Sequence, residues 1–159
     1  MLFRSAITTY VGQNLGAKKY RRIRNGVRSG VYMALITSIV ISGVMVITGR
    51  NILSLFVSGE AGQVKQVLDI AYKYLFIMAI FLWVLYHLYV YRSAIQGLGN
   101  TLIPLASGVV EFCMRVGVAL LLPKLIGEDG IFYAEISAWS GAAILLIVSY
   151  VVIIRKYKE

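Results

Sequence analysis

Four long apolar runs, joined by short connections that hold most of the charge, limit more than any other feature what this chain can fold into. They cover residues 31–48, 74–91, 104–123 and 131–154. Each approaches the ~20 apolar residues that an α-helix needs to cross the hydrocarbon core of a bilayer. The first is free of charge until Arg50, the second closes on Arg92, and the fourth closes on Arg155, Lys156 and Lys158. Hydrophobic residues make up 59% of the chain and charged residues 14%, whereas soluble domains hold roughly 45–50% and 25%. One soluble core could not hide so much apolar surface, so the expected solvent is lipid. The fold class that follows is all-α, a polytopic transmembrane bundle of four spans.

Charge then orients the spans. The net charge is +9, from 16 Lys+Arg against 7 Asp+Glu. Such a balance can mark a nucleic-acid binder, but those domains rarely carry apolar runs of this length. The basic residues instead cluster beside the runs. Lys18, Lys19, Arg21, Arg22, Arg24 and Arg28 precede the first run with no acid among them. The connection 49–69 offsets Arg50 and Lys65 with Glu60 and Asp69, and the last connection sets Lys124 beside Glu128 and Asp129. The positive-inside rule places the first basic segment and the basic tail in the cytoplasm, consistent with four crossings. Arg92 falls on the same side. Residues 1–12 read as the last turns of a cut helix, 13–30 as a basic cytoplasmic loop, and 31–159 as the four spans. Residues 1–10 lack the basic head, apolar run and cleavage site of a signal peptide.

Two connections have structure of their own. Ile52, Leu53, Leu55, Phe56 and Val57 are too few to cross and are expected to lie along the interface. After Ser58-Gly59, the helical spacing of Val64, Val67, Leu68, Ala71 and Tyr72 predicts a short amphipathic lead-in to the second span. Gly97, Gly99, Asn100 and Pro104 form a break between the second and third spans. Glycine permits positive φ and proline suits a first helical turn, so a helical hairpin is expected here.

The chemistry-bearing residues are few. Glu111 and Arg115 lie roughly 10 and 16 Å into the third span, counted from Pro104 at ~1.5 Å per residue. A lone charge at that depth costs about 2.5–3.5 kcal/mol. Their i, i+4 spacing places them on one face, where they can pair. Glu135 sits roughly 6 Å below the outer end of the fourth span and Arg115 roughly 12 Å below that of the third, a gap that an extended guanidinium can largely close. A Glu111–Arg115–Glu135 cluster of net charge −1 is expected. It is either a packing clamp between the last two spans or a site where one carboxylate takes up a proton or cation. Tyr86, His87 and Tyr89 form a polar aromatic end to the second span. They serve as interfacial anchors or as a wall for a cationic, ring-bearing substrate. One histidine and one cysteine on different spans cannot supply a metal site, and no nucleophile–base pair or phosphate-binding loop is present, so neither an enzyme nor a bound cofactor is expected. Cys113 is expected to be a small core residue.

Two motifs carry a resemblance. The segment Val11-Gly12-Gln13-Asn14-Leu15-Gly16-Ala17-Lys18-Lys19-Tyr20 comes first. Two spans later comes Gln96-Gly97-Leu98-Gly99-Asn100-Thr101-Leu102-Ile103-Pro104, leading to Glu111 and Arg115. Both resemble the multidrug and toxic compound extrusion (MATE) family, and Pro123, Gly130, Ala134, Glu135 and Trp139 continue the likeness. The resemblance implies a twelve-span, two-lobe antiporter that exchanges sodium ions or protons for organic, often cationic compounds across the plasma membrane, in bacteria the inner membrane. The four spans would match helices nine to twelve, with the N-terminal lobe of the same transporter as partner. The motifs would place Gln13, Gly16, Ala17, Gln96, Gly97, Gly99 and Pro104 in cytoplasmic turns, as shaping and hinge elements. Some members carry an ion-binding acid in the helix matching residues 74–91, where this chain has neither Asp nor Glu. Two other readings remain open: a flippase of lipid-linked saccharide, and a small autonomous membrane protein that binds a partner.

Overall fold

A computed structural model describes residues 2–59 and 61–157. The element order is α1 (Leu2–Gly16), α2 (Tyr20–Ser54), α3 (Ala61–Gly97), α4 (Leu102–Leu121), α5 (Pro123–Ile126), a 3-10 turn (Glu128–Ile131) and α6 (Phe132–Lys156). No strand occurs among the described residues.

The basic segment 13–30, expected as a loop, is helical except at residues 17–19. The reason is a buried stripe that runs through it. Ile23, Val27, Gly30, Ala34 and Ser38 are buried at intervals of three and four residues, in one phase from the basic stretch into the apolar one. Charged side chains on the other face do not interrupt such a helix, because their stems lie along apolar surface while the heads reach water. The expected lead-in to the second span is likewise no separate element, since α3 is a single helix of 37 residues. At ~1.5 Å per residue, α2 and α3 both outrun a ~30 Å hydrocarbon core, so their ends project beyond it.

Both turns at the basic end close in the same way. After α3, Asn100 N–H donates to the Ile95 carbonyl (3.2 Å) and Gly99 N–H to that of Gln96 (3.0 Å). This is a Schellman motif, with Gly99 at φ +81 as its left-handed residue. After α1, Lys19 N–H donates to the Asn14 carbonyl (2.8 Å) and Lys18 N–H to that of Leu15 (3.0 Å), with Lys18 at φ 54. The side-chain oxygen of Asn100 then accepts from Ile103 N–H (3.0 Å), satisfying one free donor at the start of α4.

The expected hairpin is only half formed. The turn is tight, but α4 packs along α6 rather than α3, and α6 is the helix that also lies against α3. Small residues permit this. Ala134, Ala138 and Ala142 are buried at four-residue intervals on α6, and a Cβ on Gly141 would stand 3.1 Å from Met114 Cγ of α4.

Burial identifies the solvent. Val11, Ile23, Leu88, Val90, Ile95 and Leu146 are fully buried and form the centre of the core. By contrast, Ile36, Ile39, Ile47, Leu105, Val109 and Phe112 are exposed. In the span that includes α4, the most apolar window has a mean hydropathy of 1.8 yet is only 6% buried. Four helices are long and apolar enough to cross a membrane. Apolar faces of this extent do not stand open to water, and the protein is a multi-pass, all-α membrane protein. Cys113, expected in the core, is exposed on α4, because lipid tolerates a small apolar side chain as readily as a core does.

Candidate functional site

Four charged side chains from three helices meet in one line. Arg92 lies in α3, Glu111 and Arg115 in α4, and Glu135 in the first turn of α6. Arg92 Nη2 donates to Glu111 Oε2 at 2.9 Å. Arg115 Nη2 lies 3.4 Å from Glu111 Oε1 and donates to Glu135 Oε2 at 2.7 Å. Each carboxylate oxygen of Glu111 therefore faces a different guanidinium.

The turn geometry explains how Arg92 reaches the line. Arg92 precedes the end of α3 by five residues, and Ser107 follows the start of α4 by five. Equal distances from one turn bring the two side by side, and Arg92 Nη2 donates to Ser107 Oγ at 3.1 Å. Ser107 is buried and turns its own hydroxyl to the Pro104 carbonyl (2.7 Å), leaving its oxygen free to accept. Glu111 lies one helical turn deeper. Arg115 is a turn further still, and there α6 begins. The line thus runs lengthwise, from roughly 8 Å inside the α3–α4 turn to the opposite end of the bundle.

The Arg92–Glu111 half of the line is more buried than the Arg115–Glu135 half. The side chains of Arg92 and Glu111 are 16% and 20% exposed, Glu135 is 31% and Arg115 is 43%. Two arginines and two glutamates sum to zero, so the expected net charge of −1 is corrected by the inclusion of Arg92. The Nε atoms of both arginines are buried with no hydrogen-bond partner among the described residues.

Arg92 and Ser107 were not among the residues expected here. Arg92 was assigned to a loop because span boundaries drawn from hydropathy stop at the first charge. Its signal was the matching offset from the Gly97–Pro104 break.

The aromatic residues do not join this line. Tyr86 and Tyr89 pack against the core, and the Arg4 guanidinium of α1 lies 4.9 Å over the Tyr89 ring. His87 Nδ1 lies 2.7 Å from the Trp83 carbonyl, an acceptor, which fixes the ring proton on Nδ1. Its ring meets Trp83 edge-on at 5.7 Å.

The motif residues divide by role. Gly97 is where α1 crosses α3, because a Cβ there would stand 2.7 Å from both the Thr8 carbonyl oxygen and Val11 Cβ. Thr8 Oγ1 reaches the Ser93 carbonyl at 3.2 Å in the same crossing. Gly99 supplies the left-handed turn and Pro104 is buried in the first turn of α4. Gln13 and Gly16 belong to the last turns of α1, and Ala17 N–H donates to the Gln13 carbonyl at 3.1 Å. Gln96 accepts from Gly99 within the second turn.

Among the described residues, no group of three His, Cys, Asp or Glu side chains could hold a metal ion. No match was found among curated proteins. The family model for MatE matches residues 1–121 of the 159, and the chain belongs to this family of membrane efflux transporters.

Proposed function

We propose that this chain forms part of a cation-coupled antiporter, driven by sodium ions or protons, that exports organic cations in multidrug efflux. The observation that carries the reading is the line Arg92–Glu111–Arg115–Glu135, four alternating charges within apolar spans. Ionisable groups inside a membrane are costly and commonly mark ion or proton pathways. Glu111 and Glu135 are the coupling carboxylates in this reading. Protonating either one frees an arginine, and that change in pairing alters how tightly α3, α4 and α6 hold together.

The partly exposed flank at Arg115 and Glu135 suits a water-filled cavity closed by a second lobe, the partner that the family resemblance implies. Tyr86, His87 and Tyr89 supply the wall for the exported cation. The basic end faces the cytoplasm of a cell bounded by this membrane, the plasma membrane or a bacterial inner membrane, in keeping with the positive-inside rule.

Efflux of a fluorescent organic cation tests the proposal, using the full-length gene with the sodium and proton gradients collapsed separately. Glu111→Gln and Glu135→Gln should each abolish gradient-driven export while the protein still reaches the membrane. Undiminished coupled export by both variants would sink it.

A further inference from the structure

A groove of about 260 Å³ opens at the basic end, where α2, α3 and α6 converge. Its rim carries Arg24, Arg28 and Tyr32 of α2, its walls include Tyr91 of α3 and Ile154 of α6, and Tyr150 of α6 also lines it. The site lies outside the ionic line and none of its residues belongs to that line.

Three features point to one kind of occupant. The first is charge. Neither Arg24 nor Arg28 forms an ion pair among the described residues. Arg24 donates to the Tyr157 carbonyl (2.7 Å) and Arg28 to the Tyr32 hydroxyl (3.2 Å), so both guanidiniums are held in place by neutral groups and keep their full charge. The second is an unsatisfied polar group. Tyr150 is only 7% exposed, and its hydroxyl is buried with no hydrogen-bond partner among the described residues. A hydroxyl so placed costs free energy that an entering acceptor would recover. The third is depth. Arg28 stands just before the apolar run of α2, and Tyr91 and Ile154 stand at the ends of the runs in α3 and α6. The groove therefore opens at headgroup level, with Val27 and Val31 extending it along the apolar span.

We propose that this groove binds one anionic phospholipid of the cytoplasmic leaflet. The phosphodiester lies between Arg24 and Arg28 and accepts the Tyr150 hydroxyl, while the acyl chains follow Val31 and the lipid-facing side of α2. The volume is below the roughly 300–1,000 Å³ of clefts that enclose drug-sized ligands, which suits a headgroup whose tails remain in the bilayer.

Native mass spectrometry of the purified full-length protein tests this with phosphatidylglycerol, with phosphatidylethanolamine and with inorganic phosphate. Phosphatidylglycerol should be retained in preference to phosphatidylethanolamine. The double variant Arg24→Gln/Arg28→Gln should weaken that retention by roughly fivefold for each arginine lost, the usual worth of one basic side chain at an anionic surface. Lys18→Gln/Lys19→Gln removes the same charge from the same end but outside the groove, and should leave retention unchanged. An equal loss in the two double variants would overturn the proposal in favour of diffuse attraction to the basic end. Displacement of the lipid by millimolar phosphate would overturn it in favour of a soluble anion. Undiminished retention by Tyr150→Phe would show that the hydroxyl faces no ligand, and the groove as described would fail.

Discussion

Two sets of ion pairs in this molecule have consequences that run opposite to their lengths. At the end opposite the basic segment, Arg50 meets Asp69 at 2.5 Å and Lys73 meets Asp129 at 2.6 Å. Along the line through α3, α4 and α6 the links measure 2.9, 3.4 and 2.7 Å. Distance alone would rank the outer pairs first. Their side chains, however, are about half exposed, whereas Arg92 and Glu111 are 16% and 20% exposed within apolar spans. Water already solvates the outer charges, so pairing adds little. Inside the spans no such alternative exists, and each charge depends on its partner.

Glu111 gives the sharpest test of that difference. It serves two arginines, so Glu111→Gln leaves Arg92 with neutral acceptors only and shifts the line from neutral to +1. Removing one partner of a buried pair typically costs about 3–5 kcal/mol. Thermal unfolding in a fixed detergent should show a loss of that order. The double variant Arg92→Gln/Glu111→Gln restores neutrality, with Arg115–Glu135 intact, and should be more stable than Glu111→Gln alone. If it is less stable, by the sum of the two single losses, the two side chains act independently and the contrast with the outer pairs fails.

Glu135 falls between the two sets. Its link to Arg115 is short, at 2.7 Å, but both side chains are more exposed than Arg92 and Glu111. Glu135→Gln removes one charged hydrogen bond, worth about 1.5–3 kcal/mol. A loss in the same unfolding measurement that is smaller than for Glu111→Gln would order the pairs by burial. A loss equal to that of Glu111→Gln would mean that the line behaves as one unit in which position makes no difference.

The same contrast explains what could be read from the sequence. The spans were legible because 20 apolar residues in a row have few other uses, and the Glu111–Arg115 spacing is fixed by the helix itself. The limits of the helices were not. Hydropathy registers the change from lipid to water, whereas a helix ends where its hydrogen bonds and buried stripe end, so α2 runs on through Arg21, Arg22, Arg24 and Arg28. The same confusion sent Arg92 to a loop and hid its role. Cys113 failed differently. Core and lipid-facing positions are equally apolar, and composition alone cannot separate them. That α6 lies between α3 and α4 was equally hidden, since it depends on Gly141 and the alanines at 134, 138 and 142 fitting closely against neighbours distant in sequence.

The smallest effect belongs to the outer pairs. Arg50 and Asp69 lie 19 residues apart on α2 and α3, near the point where both helices leave the membrane. Asp69→Asn removes the charge but keeps a polar side chain of the same shape, and Arg50 remains in water. The expected loss is about 0–1 kcal/mol. The salt dependence is the more discriminating measurement. A pair in water is screened within a Debye length of roughly 8–10 Å at ordinary ionic strength, so the difference between wild type and Asp69→Asn should vanish by about 1 M salt. The corresponding difference for Glu111→Gln should persist, because Arg92 and Glu111 are largely buried and salt screens buried pairs much less. If the Asp69→Asn difference survived high salt at full size, the outer pair would be shielded from water by something that the distances alone do not reveal. Burial in this chain would then no longer divide its ion pairs into two kinds.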